Sequence, residues 1–190
     1  SEESGFRHLY LITASLEVKP PSTQNGLCTH SAFCDDENSV DDNMKARIVK
    51  KAQLTSGEWE VLGRSIWVDR QRSLIYYKGF AHSPLEKHLY VFSMLQPEKK
   101  RLLTTPGTTN SIEFNEDCTV MVKTFSNTNQ LPSTEILRVV QHCENGSVDG
   151  LELVNIGHLV VGSFDNSEYT PIICDPVISS GETLYALVFK

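Results

Sequence analysis

Ser65-Ile66-Trp67-Val68-Asp69, followed by Leu74-Ile75-Tyr76-Tyr77, recurs position by position as Ser111-Ile112-Glu113-Phe114-Asn115 followed by Val120-Met121-Val122-Lys123. The two copies begin at residues 65 and 111, an offset of 46. Self-similarity at about 40 to 50 residues, with short strands and turn signals inside each unit, is the mark of a four-stranded sheet repeated around an axis, a propeller blade. The fold class that follows is all-β, a partial β-propeller.

Outward from the repeat, one blade can be traced in full. Ser65 to Asp69 is its inner strand and Leu74 to Gly79 the partner, across a turn at Arg70-Gln71-Arg72. A loop at Ala81-His82-Ser83-Pro84 leads to a third strand, His88 to Phe92, and a hairpin at Gln96-Pro97-Glu98 to a fourth near Arg101 to Thr104. The next unit repeats the order with Ile112 to Asn115, Val120 to Thr124, a loop over Asn127 to Ser133 and a third strand from Glu135 to Val140. After Gln141 the blade pattern fades into a short apolar segment around Leu151 to Val161. Leu54-Thr55-Ser56-Gly57 precedes one blade and Leu103-Thr104-Thr105-Pro106-Gly107 the next. His8-Leu9-Tyr10 recurs as His88-Leu89-Tyr90, a separation of 80 that accommodates two blades with insertions.

Upstream, Arg7 to Ile12 has the aromatic and β-branched content of a strand. From 17 to 45 the chain is polar, with Pro20-Pro21, Asn25-Gly26, Asp35-Asp36-Glu37 and Asp41-Asp42, and reads as an inserted loop. Order resumes near Ala46-Arg47-Ile48-Val49. At the other end, Ile172-Ile173-Cys174 and Leu184 to Phe189 flank Ser179-Ser180-Gly181-Glu182 as a β-hairpin that stops in mid-strand. About three four-stranded blades are expected, with two sheet edges left open, since a closed propeller needs about four to eight.

The net charge of −7 argues against a phosphate-binding surface, so no nucleic-acid partner is expected. Lys99-Lys100-Arg101, the longest basic run, reads as the solvated end of the hairpin after Gln96-Pro97. No window approaches the roughly 18 to 20 apolar residues of a membrane helix, and Ser1-Glu2-Glu3-Ser4-Gly5 has no leader-like character, so no membrane partner is expected either. Five scattered cysteines, Cys28, Cys34, Cys118, Cys143 and Cys174, favour a reduced compartment over a disulfide framework. Asn145-Gly146-Ser147 has the glycosylation pattern and equally that of an Asn-Gly turn.

Candidate chemistry is sparse. A Ser-His-Asp hydrolase site in a sheet protein leaves a Gly-x-Ser-x-Gly trace, and none is present. His8 and His88 sit at equivalent strand starts, where packing or turn bonding accounts for them. Cys28, His30, Cys34 and Asp35 are ligand types within eight residues, but their spacing matches no common zinc pattern. Asp35-Asp36-Glu37 lacks the alternating ligands and central glycine of a calcium loop. Gly57, Gly63, Gly79 and Gly107 stand singly, as turns require, rather than as a phosphate cradle. Trp59, Trp67, Tyr76 and Tyr77 suit the space between neighbouring blades better than a recognition patch. No catalytic, cofactor-binding or metal-ligating residue is therefore assigned, and no cofactor is expected.

Three colinear motifs then carry a resemblance. The run from Leu54-Thr55-Ser56-Gly57-Glu58-Trp59-Glu60-Val61 to Leu62-Gly63-Arg64, the run Ser83-Pro84-Leu85-Glu86-Lys87-His88-Leu89-Tyr90-Val91, and Leu103-Thr104-Thr105-Pro106-Gly107 resemble the C-terminal propeller blades of the dipeptidyl peptidase IV family, in its dipeptidyl peptidase 8/9 branch. Gly5-Phe6-Arg7-His8-Leu9-Tyr10 resembles the same branch one segment earlier. Tyr169-Thr170-Pro171 leading to Leu184 through Lys190 resembles the crossover into the first hairpin of that family's α/β-hydrolase domain. Two departures mark a divergent member: the shortened approach to Ser65 after Gly63-Arg64, and Tyr169-Thr170-Pro171-Ile172 in place of a Tyr-x-Pro-Pro run.

The resemblance implies two parts, blades over 1–168 with the insert at 17–45 and the start of a hydrolase domain over 169–190. It further implies a fragment of a cytoplasmic serine protease, a dipeptidyl aminopeptidase releasing Xaa-Pro or Xaa-Ala dipeptides from peptide substrates and homodimeric at full length. The remaining blades and the hydrolase domain would be its intramolecular partners. The catalytic triad and the glutamates that hold the substrate's amino group would lie outside this chain, which would act as a wall gating substrate access. The alternative is a non-enzymatic propeller-type protein-interaction module.

Overall fold

The computed structural model describes residues 5–18, 44–143, 146–162 and 171–188. Among them every regular element is a strand, and every pairing is antiparallel. Two four-stranded sheets hold most of the chain. The first is built from β3 (Val61–Asp69), β4 (Leu74–Ser83), β5 (Glu86–Ser93) and β6 (Lys100–Leu102) in the order β3-β4-β5-β6. The second holds β7 (Thr109–Phe114), β8 (Val120–Asn127), β9 (Gln130–Gln141) and β10 (Leu151–Val160), again in sequential order. This meander is the blade that the repeat predicts.

The repeat survives at the level of register. Ile66 faces Tyr77, Trp67 faces Tyr76 and Val68 faces Ile75; 46 residues on, Ile112 faces Lys123, Glu113 faces Val122 and Phe114 faces Met121. The turns between these strands are closed in related ways. Asp69 Oδ1 accepts from the Arg72 amide at 2.9 Å, and Asn115 Oδ1 accepts from the Thr119 and Val120 amides, each at 2.9 Å. Short Asp and Asn side chains substitute for backbone acceptors in this way, which is why they sit at strand ends.

The chain divides into two compact units, Leu9–Thr55 and the remainder. The smaller is a two-stranded ribbon of β1 (Tyr10–Val18) and β2 (Met44–Gln53). The strand expected at Arg7 to Ile12 thus runs on to Val18, and the expected insert contracts at both ends; its central 19–43, including Cys28, His30, Cys34 and Asp35, lies outside the described residues.

Local bonding shows what the ribbon corresponds to. Tyr10 faces Gln53 as Tyr90 faces Leu102. The Leu9 amide donates to Thr55 Oγ1 at 2.9 Å as the Leu89 amide donates to Thr104 Oγ1 at 3.1 Å. Leu54 N bonds Leu9 O at 2.9 Å as Leu103 N bonds Leu89 O at 2.8 Å. β1–β2 therefore repeats the β5–β6 half of a blade. The 80-residue separation of the two His-Leu-Tyr motifs is one blade step, not two, lengthened by the excursion between β1 and β2. Two blades are complete among the described residues, and the third is represented by this half.

Two further readings change. The loop expected over Asn127 to Ser133 is a tight turn, because β8 and β9 stay paired out to Asn127 opposite Gln130. Polar side chains at the exposed end of a ladder imitate a loop in sequence. The segment in which the pattern fades is β10, the missing fourth strand. Irregularities between Asn155 and Gly157 and between His158 and Val160 break its two-residue alternation. The terminal hairpin is present, with β11 (Ile172–Cys174) paired to β12 (Ala186–Val188) and Val177 bridged to Thr183. The boundary expected at residue 168 lies outside the described residues.

The core lies between the two blades. Leu74, Tyr76, Leu89 and Val91 of the first sheet pack with Ile112, Met121, Leu137 and Val139 of the second, and Trp67 and Phe114 lie against the cluster.

Candidate functional site

The described residues contain one chain of hydroxyl, imidazole and carboxylate, at the β4–β5 end of the first blade. His88 is fully buried on β5; its Nδ1 lies 2.9 Å from Thr104 Oγ1 and its Nε2 2.8 Å from Glu86 Oε2. Thr104 Oγ1 already accepts from the Leu89 amide at 3.1 Å, which leaves its own proton to donate to Nδ1. Nε2–H then donates to the carboxylate, which also accepts from the Gly107 amide at 2.9 Å. Burial pushes the Glu86 carboxyl up, but the Gly107 amide and His88 together hold it below its ordinary range. The His82 ring meets His88 edge-on at 5.3 Å, and the His82 amide donates to Tyr90 Oη at 2.9 Å.

This arrangement has the connectivity of a nucleophile, base and orienting acid without the access. Thr104 is buried and its hydroxyl is committed on both sides, so no carbonyl carbon can approach Oγ1. Its chemistry is that of a fastener between a strand start and the following loop. His8, at the equivalent place, is also buried and bonds the Gly57 carbonyl at 3.0 Å, as its equivalence to His88 led one to expect. Glu86 and Thr104 were not singled out by sequence reasoning. Their available signal was the Leu-Thr pair that follows each His-Leu-Tyr motif.

The aromatic residues divide between two faces. Trp67 and Tyr76 meet Phe114 of the second blade at centroid distances of 5.1 and 4.8 Å, filling the space between sheets. Trp59 instead stacks near Tyr77 and Tyr90 on the opposite face of the first blade, at 6.4 and 6.3 Å. Lys78 also points between the sheets; its Nζ donates to the Ile112 carbonyl at 3.3 Å and lies 5.6 Å from the Trp67 ring centroid. Burial lowers its pKa, and Glu113 opposes the shift.

Arg101, read in the sequence as part of a solvated run, is a clamp. Its Nη1 donates to the carbonyls of Val148 at 3.0 Å, Asp149 at 3.3 Å and Leu151 at 2.7 Å, tying β6 to the segment that opens β10. Spacing gave no warning of this, because its acceptors are backbone oxygens nearly 50 residues away. Among the described residues no group of three or more potential ligands is placed to hold a metal ion, and Cys118, Cys143 and Cys174 carry free thiols. Asn145 lies outside the described residues.

Comparison with known proteins places this architecture. The family described as dipeptidyl peptidase IV (DPP IV) N-terminal region matches residues 1–132. The match is thus to the N-terminal region of those enzymes, whereas the resemblance placed the chain at the end of the propeller and the start of a hydrolase domain; residues 169–190 fall outside it. Dipeptidyl peptidase 8 of Mus musculus is 40% identical over 129 residues, which make up 66% of this chain and 13% of the relative. The Homo sapiens protein of the same name has the same identity and coverage. A probable dipeptidyl-aminopeptidase B of Neosartorya fischeri is 49% identical over 37 residues, 20% of this chain and 4% of the relative. The crystal structure of Porphyromonas gingivalis dipeptidyl peptidase 4 superposes with a TM-score of 0.56 at 17% identity, covering 77% of this chain and 20% of that one, a likeness of fold. The chain spans about an eighth of the length of the dipeptidyl peptidase 8 relatives, 13%.

Proposed function

The chain belongs to the dipeptidyl peptidase IV N-terminal region family, and from that premise we propose that it is the propeller-wall portion of a cytoplasmic serine dipeptidyl aminopeptidase. The longer polypeptide releases Xaa-Pro or Xaa-Ala dipeptides from the free N-termini of peptides through an acyl-enzyme on a serine. The observation that carries this reading is the 40% identity to dipeptidyl peptidase 8 across 129 residues, 66% of this chain. The blades form a rigid wall that admits extended peptide ends, and the hairpin at 172–188 leads toward the hydrolase domain. The longer enzyme is a homodimer.

Among the described residues the side chains that resemble catalytic groups are tied up in structure, and the 190 residues by themselves are expected not to hydrolyse peptides. The test compares this chain with the polypeptide translated from the longer reading frame, using a glycyl-prolyl chromogenic substrate. Turnover by the longer polypeptide alone is expected, and its loss on replacing the serine of a Gly-Trp-Ser-Tyr-Gly-Gly-like elbow. Turnover by the 190-residue chain, or a longer frame without such an elbow, refutes the proposal; the second result favours an interaction module.

A further inference from the structure

The β1–β2 ribbon continues where the blade hairpin it repeats has stopped. β5 and β6 pair at three positions, Tyr90 with Leu102, Val91 with Arg101 and Phe92 with Lys100. Tyr10, Leu11 and Ile12 repeat these pairs with Gln53, Ala52 and Lys51, after which the ribbon runs on from Thr13 to Val18 against Lys50 to Met44. This extension has no counterpart in the blade, so the packing of blade on blade does not account for it. Its outer edge also stays open in a complete blade. β2 stands where β6 stands, at the end of the order β3-β4-β5-β6, and among the described residues it pairs with β1 alone. Strands that complete the blade add on the β1 side and neighbouring blades cover faces, which leaves the amides and carbonyls along the far edge of β2 unpaired.

Register sorts the ribbon into two unlike faces. Ile12, Ala14 and Leu16 share one with Ile48 and Ala46, while Thr13 and Ser15 share the other with Lys50 and Arg47. Ile12, Leu16 and Ile48 are 52%, 66% and 63% exposed, so the apolar face is uncovered. Arg47 and Lys50 are exposed as well, with no acidic partner among the described residues. The sequence of β2 holds four of the 17 basic residues of the chain, Lys45, Arg47, Lys50 and Lys51, and none of its 24 acidic ones. In a chain of net charge −7 this concentration selects the occupant. A second copy pairing antiparallel along the same edge would set Arg47 and Lys50 of one strand against those of the other, and like charges oppose it. Lysines and a bulge guard an edge against indiscriminate pairing, and β2 has both, with Val49 as the extra residue. The strand admitted is one whose charge answers them.

We infer that the outer edge of β2 over Ala46 to Lys50 receives an extended acidic peptide, which adds to the ribbon as a third strand. Backbone hydrogen bonds to the free edge supply affinity, and alternate side chains supply specificity. Apolar residues of the peptide extend the face of Ile12, Leu16 and Ile48, and its carboxylates pair with Arg47 and Lys50. The peptide recognised therefore alternates acidic and apolar residues. The inference concerns the ribbon and is independent of the peptidase reading.

Fluorescence anisotropy with the polypeptide translated from the longer reading frame tests it, since any part of that polypeptide that covers the edge is then present. The probe is the peptide N-acetyl-Val-Glu-Val-Asp-Ile-Glu-Val with a dye at its C-terminus. Its acetyl group removes the free N-terminus that a dipeptidyl aminopeptidase needs, so binding is read apart from turnover. Saturable binding is expected, and Arg47→Glu and Lys50→Glu should each weaken it at least about tenfold. Cooperative unfolding of each variant controls for folding; if a charge reversal abolishes it, Arg47→Gln and Lys50→Gln are milder changes at the same exposed positions and should give graded weakening. A probe with lysine at every acidic position should bind the wild-type polypeptide at least about tenfold more weakly than the parent probe, and regain affinity for the double charge-reversal variant. Of two probes N-methylated at alternate residues, one should lose binding and the other keep it, because successive amides of a strand point to opposite edges. Absence of saturable binding overturns the inference. So does binding that both charge reversals leave unchanged, or binding of both N-methylated probes as tightly as the parent.

Discussion

Ile112 and Ile66 occupy the same place in successive blades, and only Ile112 is covered by a neighbouring sheet, being 0% exposed against 40% for Ile66. Replacing each with alanine measures what the blade-to-blade interface contributes, because the strand environment is shared and the loss of β propensity largely cancels. Truncation removes three methylene equivalents, about 2.4 kcal/mol at about 0.8 kcal/mol each. At Ile112 the surrounding Tyr76, Met121 and Leu137 cannot fully collapse, which brings the expected loss to about 3 to 4 kcal/mol. At Ile66 the transfer loss is scaled by partial exposure and no closed cavity forms, leaving about 1 kcal/mol. Urea unfolding of both variants should show unfolding free energies separated by about 2 to 3 kcal/mol with unchanged slopes. In thermal melts the separation is about 4 to 12 °C. Equal losses, within about 0.5 kcal/mol, would refute the claim that the two sheets form one packed core.

Two other outcomes follow from the polar fastenings. The Glu86 carboxyl is held below its ordinary value of 4.5, so its stabilising contribution is present above that pH and lost as pH falls through the depressed folded value. Glu86→Gln should be less stable than wild type at neutral pH, and the gap should close in acid unfolding series below about pH 4.5; a gap constant with pH would contradict the assignment. Arg101→Ala should lose about 1 to 2 kcal/mol, discounted for the solvent exposure of this side chain, and Arg101→Lys should restore less than half, since a single ammonium cannot span three carbonyls. Full rescue by lysine in denaturant titrations would show that charge, not fork geometry, makes the clamp.

Much of the fold was legible because blade strands alternate strictly and turn residues punctuate them. Ser65 to Tyr77 and Ser111 to Lys123 carried both signals twice, and their ladders match in register. The fourth strand of the second blade escaped because irregularities around Asn155, Gly157 and His158 disrupt alternation. The polar end of β8 and β9 read as a loop because hydrogen-bonded pairing, not composition, extends it. The reading of His8 and His88 as structural was available from their shared position, while the partners that make them so, Gly57 and the Thr104 and Glu86 pair, depend on chain crossings that spacing does not encode.

Sequence alone determined the repeating unit, its strand order and the kinship of the chain, because alternation, turn chemistry and matched motifs are local properties written residue by residue. Tertiary structure decided which copies of the repeat are covered and which lie open. Ile112 and Ile66 are the same residue in the same strand position, and burial separates them only because a second sheet packs on one of them. It also turned Arg101 from one member of a basic run into a clamp, since three backbone carbonyls converge on its guanidinium only after the two sheets have stacked.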